Sequence, residues 1–159
     1  MNNYSFWRDC MLPAYIEDVQ TWLADFHYFE DIKVRFCETD LFGHVNNTVP
    51  FIYFEQVRAS FMEQSGLMEQ EVEPGVIGMP VIASLHCDYV QQAYYNDKLS
   101  VGVKIARVGR SSIDMHYVAL NGDEIIFTGT SIVVQMNKNT GKSIAFNNEQ
   151  LESLAVTVK

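Results

Sequence analysis

Residues 49–66 read VPFIYFEQVRASFMEQSG. Phe51, Phe54, Val57, Phe61 and Met62 recur at helical spacing and line one face. Pro50 is tolerated in a first helical turn, where its missing N–H costs little. Asn47 or Thr48 is positioned to cap the start, and Gly66 to end the helix. A face this apolar and aromatic predicts a helix wrapped by a sheet. Downstream, strand-like runs cover about 80–90, 98–109, 111–120 and 124–137. LSVGVKIARV alternates, and SSIDMHYVAL sets Ile113, Met115, Tyr117 and Ala119 on one face. NGD at 121–123 signals a hairpin, and VGRSS at 108–112 signals a second tight turn. Consecutive strands joined by short turns form a mainly antiparallel sheet. With one helix on its concave face, the class is α+β.

Upstream of the helix, IKVRF at 32–36 alternates apolar and basic residues, which is strand spacing. Earlier still, PAYIEDVQTWLADF at 13–26 puts Tyr15, Ile16, Val19, Trp22, Leu23 and Phe26 at helical spacing, with Pro13 in the first turn. That apolar stripe is too strong for a free tail, so the segment should pack on the sheet or across a subunit interface. FNNEQLESLA at 146–155 reads as a terminal helical turn. The chain has no internal repeat or low-complexity tract.

A chain of 159 residues fits one domain with a core of its own. Ten Phe, eight Tyr and two Trp supply enough aromatic surface for a large apolar pocket or interface. No apolar run approaches the ~20 residues of a membrane span. The first residues lack a basic start followed by an apolar core, which argues against a secretory signal. Cys10, Cys37 and Cys87 are scattered and odd in number, which points to reduced thiols and a cytoplasmic setting. The four histidines show none of the usual metal spacings. A net charge of −9 argues against general nucleic-acid binding. The charge is uneven, however: residues 98–142 carry six basic and three acidic side chains. Either these are solvated strand edges, where lysine discourages pairing, or they form a landing site for a phosphate-bearing small molecule.

Between the first strand and the helix lies ETDLFGHVNN, residues 38–47. Asp40 can act as a general base or as a nucleophilic carboxylate, although an aspartate before a helix also serves as a turn or cap residue. Asn46 and Asn47 are natural turn and capping residues. The N–H groups at a helix start carry partial positive charge and suit an oxyanion; Pro50 cannot donate, so the donors lie in 46–49. Glu55 either faces a pocket or pairs with its helical neighbour Arg58. The cysteines read as inert core residues.

VRFCETDLFGHVNN followed by YFEQVRASFM resembles the N-terminal signature of hotdog-fold acyl-CoA thioesterases of the hydroxybenzoyl-CoA thioesterase type. HCDYVQQAYYNDKLSVGVKIARVGRSSIDMHYVA is similar to the remaining strand pattern of that family. The resemblance covers about residues 30–150. It implies a five- to six-stranded antiparallel sheet wrapped around one long central helix. Residues 1–29 would be an extension bearing an extra helix, and residues 30–159 the thioesterase domain. It further implies hydrolysis of an acyl-CoA without metal or other cofactor. Asp40 would be the base or nucleophile, the backbone near Asn47 would polarise the carbonyl, and His44 would support them. Thr48 and Glu55 would lie at the substrate, with Gly109, Arg110, Ser111 and Ser112 near the CoA moiety. Dimers, often paired into tetramers, would hold the sites at subunit interfaces. Two departures stand out: Pro50 replaces an aromatic residue of many relatives, and Phe42 replaces a polar Asn of the plant acyl-carrier-protein thioesterases whose HVNN run is similar. A carrier-protein thioesterase is the nearest alternative, mildly disfavoured because acidic carriers would be repelled. A non-catalytic acyl-CoA-binding module is the alternative from another class.

Overall fold

Alternating apolar residues put the second half of the chain into long antiparallel strands. The computed structural model describes residues 13–65 and 78–157. In chain order the elements are α1 (Val19–Ala24), β1 (Tyr28–Lys33), a 3-10 turn (Phe36–Glu38), α2 (Val49–Gln64), β2 (Gly78–Tyr89), β3 (Lys98–Val108), β4 (Ser112–Asn121), β5 (Glu124–Asn137) and α3 (Asn148–Thr157). The strands make one five-stranded sheet in the order β1-β3-β4-β5-β2, and every neighbouring pair is antiparallel. The Gly109 N–H closes the β3–β4 turn on the Ser112 carbonyl at 2.8 Å.

One face of the sheet packs on α2. Leu99, Val101, Val103 and Ile105 of β3 and Ile113, Met115, Tyr117 and Ala119 of β4 share a core with Phe54, Val57, Phe61 and Met62. Phe51 is half-buried against that core. Phe54 stacks on Tyr117 with ring centroids 4.5 Å apart. The approach requires glycine at 129: a Cβ there would lie 2.4 Å from the Phe54 ring and 2.6 Å from the His86 carbonyl oxygen.

The opposite face is covered too. Ile16, Trp22 and Phe26 pack against Val118, which points away from the first core by strand alternation, and Ile125, which a bulge beside Phe127 turns to the same face. The N-terminal segment thus lies on the sheet, in keeping with its apolar stripe. Its helix is shorter than the 13–26 spacing suggests. Asp18 accepts the Thr21 N–H at 2.8 Å and caps α1 only from Val19 onward, while Ile16 closes a turn on Pro13.

β1 also differs from the 32–36 reading. It runs Tyr28–Lys33, paired from Tyr28↔Val103 to Lys33↔Lys98. Val34 is buried, but the chain then turns at Phe36–Glu38 and leaves Phe36 77% exposed. Val34 keeps backbone bonds to Asn96 and Asp97, and the 3-10 turn that follows ends the alternation at Phe36. The Gly66 stop lies outside the described residues. No helix among the described residues is long and apolar enough to cross a membrane.

His116 fastens the N-terminal segment to β4. The Trp22 indole N–H donates to His116 Nδ1 at 3.0 Å, which requires that nitrogen to be unprotonated. The Lys104 ammonium donates to the Trp22 carbonyl at 2.8 Å and sits 4.8 Å from the Phe26 ring centroid. Burial, and then the Lys104 charge, push His116 from 6.5 down to about 4, against the weaker pull of Asp114. As pH falls, the unfolded chain takes this proton first, so the contribution is complete above about pH 6.5 and is lost on descending to pH 4. Urea unfolding should therefore register a loss of roughly 3 kcal/mol across that window from this group alone. His116→Asn should flatten that part of the profile.

Candidate functional site

The loop joining the 3-10 turn to α2 is a narrow ladder. The Asn46 N–H donates to the Glu38 carbonyl at 2.8 Å, Thr39 bridges Val45, and the Asp40 N–H donates to the His44 carbonyl at 2.7 Å. Gly43 turns the tip with φ +81°, and its N–H donates to the Asp40 carbonyl at 3.1 Å. Asp40 Oδ1 accepts the N–H groups of Phe42 at 2.8 Å and His44 at 3.1 Å. Its Oδ2 has no hydrogen-bond partner among the described residues. Leu41 and Phe42 at the tip are 98% and 80% exposed, so an apolar rim borders the half-buried carboxylate.

His44 contributes backbone to this ladder. Its ring packs edge-on against Tyr94, 5.1 Å between centroids, and makes no hydrogen bond to Asp40. The start of α2 differs from the capping expectation. Neither Asn47 nor Thr48 caps with its side chain. Asn46 takes that part: its Oδ1 accepts from the Thr48 N–H and hydroxyl, both at 3.0 Å, and its carbonyl accepts the Val49 N–H at 2.9 Å. Among 46–49, three N–H groups are therefore engaged, and only that of Asn47 has no partner among the described residues. The Asn47 carbonyl is held by the Tyr89 hydroxyl of β2.

Beneath the ladder sits Glu38, a buried carboxylate whose role the sequence reading missed. It accepts the Arg35 N–H at 2.7 Å, the Arg35 Nε–H at 2.9 Å and the Tyr53 hydroxyl at 2.8 Å. Burial alone would raise its carboxyl. The Arg35 guanidinium and backbone N–H, with the Tyr53 hydroxyl, outweigh burial and hold it below the usual range. Burial, then the Glu38 contact, push the Tyr53 phenol well above the ordinary tyrosine value, so it stays a donor. The available signals were the i,i+3 spacing of Arg35 and Glu38 and a phenol tip on an apolar helix face.

The remaining candidates are spread out. Glu55 and Thr48 are exposed. Arg58 does not pair with Glu55; it is buried, 8% exposed, and donates to the Tyr117 hydroxyl at 3.2 Å, which contacts Ser131 Oγ at 2.7 Å. The turn of Gly109, Arg110, Ser111 and Ser112 lies at the far end of β3. The Asp40 ladder is attached at the other end, through the Val45 N–H on the Ala93 carbonyl just before β3 begins. The length of β3 separates the two groups, on the order of 30 Å. One chain thus brings together Asp40, His44, Asn47 and Thr48, and leaves residues 109–112 distant. Cys87 is buried and its thiol is pushed up to about 12, chiefly by burial, but Cys37 is exposed rather than a core residue. Cys10 lies outside the described residues.

Asp40 has a structural duty that is separable from any chemistry. Asp40→Asn keeps an Oδ1 acceptor for Phe42 and His44 and should change unfolding free energy by under about 0.5 kcal/mol, whereas Asp40→Ala loses both bonds and should cost roughly 1–2 kcal/mol. Urea titration of both variants checks the split.

A family model described as the thioesterase-like superfamily matches residues 34–154. The chain is 41% identical over 148 residues to the protein YsmA of Bacillus subtilis (strain 168), covering 92% of this chain and 98% of that one. Among solved structures, a protein described as a predicted thioesterase from Bacillus stearothermophilus superposes with a TM-score of 0.73 at 27% identity, covering 83% of this chain and 96% of that one. A thioesterase from Thermus thermophilus, in complex with coenzyme A and Zn, gives a TM-score of 0.72 at 25% identity, covering 84% and 96%. The matched span contains the Asp40 ladder, α2 and the four long strands, and on that match the chain belongs to the thioesterase-like superfamily.

Proposed function

We propose that the protein is an acyl-CoA thioesterase in which Asp40 drives hydrolysis and the Asn47 N–H polarises the thioester carbonyl. The observation that carries this reading is the pairing on one ladder of a carboxylate oxygen and a helix-start N–H, both without partners among the described residues. With Asp40 as base, Oδ2 takes a proton from water and the oxygen attacks the carbonyl carbon. The developing oxyanion accepts from Asn47, the C–S bond breaks, and the CoA sulfur takes a proton. With Asp40 as nucleophile, the same oxygen forms a mixed anhydride and releases CoA, and water then hydrolyses the anhydride. Either route ends in a free acid and CoA. His44 supports the ladder in both, and Thr48 and Glu55 border the substrate.

The site is shared between two copies of the chain. Residues 109–112 are too far from Asp40 of the same chain for one CoA to touch both. β2 is an edge strand: its end, Tyr89, contacts Asn47, while its start is level with the 109–112 turn through Val81↔Val134 and Ser112↔Val134. Antiparallel pairing of two β2 edges about a twofold axis would bring the partner's turn beside this Asp40 ladder. Arg110, exposed on that turn, would then meet CoA phosphates. The likeness to a thioesterase complexed with coenzyme A supports the carrier, and pairing of dimers into a tetramer is the expected larger assembly.

A panel of CoA thioesters, with matched carrier-protein thioesters beside them, tests the reading by thiol release. Turnover on CoA esters should exceed that on carrier esters. Asp40→Asn should cut kcat by roughly 100- to 10,000-fold while the fold survives. Unchanged turnover in that variant sinks the mechanism, and tight binding of intact esters with no thiol released would make the protein a binding module. Arg110→Ala should raise KM several-fold for CoA esters and leave pantetheine esters, which lack the nucleotide phosphates, unaffected.

A further inference from the structure

Resting on the thioesterase reading, we propose that Glu38 and Tyr53 are positioning residues that fix the distance between Asp40 and the Asn47 N–H. Neither touches a reacting atom. Their bonds close a ring at the base of the ladder. The Tyr53 hydroxyl, from α2, donates to the Glu38 carboxylate at 2.8 Å. The Glu38 carbonyl accepts the Asn46 N–H at 2.8 Å, and the Asn46 carbonyl accepts the Val49 N–H at 2.9 Å, which returns to the start of α2. Asp40 lies on the loop that leaves this ring at the Glu38–Asn46 rung, two residues beyond Glu38 and tied back to His44. Asn47 hangs one residue beyond Asn46. The two groups that must act together are thus referenced to one buried carboxylate rather than to an exposed loop.

The placement explains a carboxylate that would otherwise be costly. Glu38 is buried, and a buried charge is retained only when hydrogen bonds replace its water. Arg35 neutralises it from outside, being itself largely exposed, while Tyr53 fixes it to the helix from inside. Catalysis by two preorganised groups is steep in geometry: a displacement of about 1 Å can cost on the order of 100-fold in rate. A hydrogen-bond ring of this kind holds such tolerances, and a tip with Leu41 and Phe42 in solvent does not.

The test uses Tyr53→Phe, which deletes one hydroxyl and keeps the ring, and Glu38→Gln, which keeps an acceptor for Tyr53 but removes the charge that holds Arg35. Val103→Ala, a core deletion on β3 remote from the loop, serves as the control for lost stability. All are assayed well below their unfolding transitions, with rates normalised to folded protein. The expected result for Tyr53→Phe is a kcat lower by about 10-fold with KM within about twofold, and a larger kcat loss in Glu38→Gln. Val103→Ala should keep wild-type kcat. Amide hydrogen exchange gives a readout independent of turnover: the Phe42, His44 and Asn46 N–H groups should exchange at least about 10-fold faster in Tyr53→Phe, and at wild-type rates relative to the core in Val103→Ala. Wild-type kcat in Tyr53→Phe, a kcat loss in Val103→Ala matching that of Tyr53→Phe, or unchanged loop exchange overturns the proposal. A wild-type protein that binds thioesters without hydrolysing them would instead refute the thioesterase reading and leave the ring to be judged by exchange alone.

Discussion

Everything downstream depends on how closely α2 lies on the sheet. Phe54 stacks on Tyr117 at 4.5 Å, in a space that exists because residue 129 has no side chain. The contact ties Phe54 to β4 and β5 while the helix itself lies nearest β3, so the start of α2 projects at one end of the sheet and its far end reaches the other. A Cβ at 129 would meet both an aromatic ring and a backbone carbonyl, and the carbonyl cannot move without breaking the β2–β5 ladder. The helix start and the Asp40 ladder joined to it inherit their positions from this seat.

Much of the fold can be read in the chain because its physics is local and periodic. Alternation in β3 and β4 assigns the inner face residue by residue, and Ile113, Met115, Tyr117 and Ala119 are all buried there. The α2 face follows from helical spacing. Local signals fail where a side chain ends an element by reaching elsewhere. Asp18 caps α1 so that it begins six residues after Pro13, and Glu38 draws the chain after Lys33 into a 3-10 turn. Helical spacing alone pairs Arg58 with Glu55, yet its guanidinium reaches the Tyr117 hydroxyl across the core. Contacts between residues 59 positions apart leave no trace in a short window of sequence.

The candidate site divides in the same way. Asp40 and Asn47 stand out by residue type and spacing before a helix. Of the groups that hold them, Tyr53 and Tyr89 carry no such signal, because their partners are set by the packing of α2 and β2, whereas Asn46 and Glu38 show locally only as turn and i,i+3 residues. Nor does the sequence reveal that residues 109–112 lie at the opposite end of β3. That separation turns a set of candidates into a statement about assembly: one chain carries Asp40 and Asn47 at one end of β3, and the turn that bears Arg110 at the other.

Subunit mixing tests that statement most directly. Asp40→Asn and Arg110→Ala chains, each impaired as a homodimer, are exchanged at equal concentration and assayed on a CoA ester well below KM. If Asp40 and Arg110 serve one site from different chains, each mixed dimer regains one intact site. Random assortment then predicts a rise toward about a quarter of wild-type kcat/KM per chain. A mixture whose activity equals the average of its two parents would contradict a site shared between protomers.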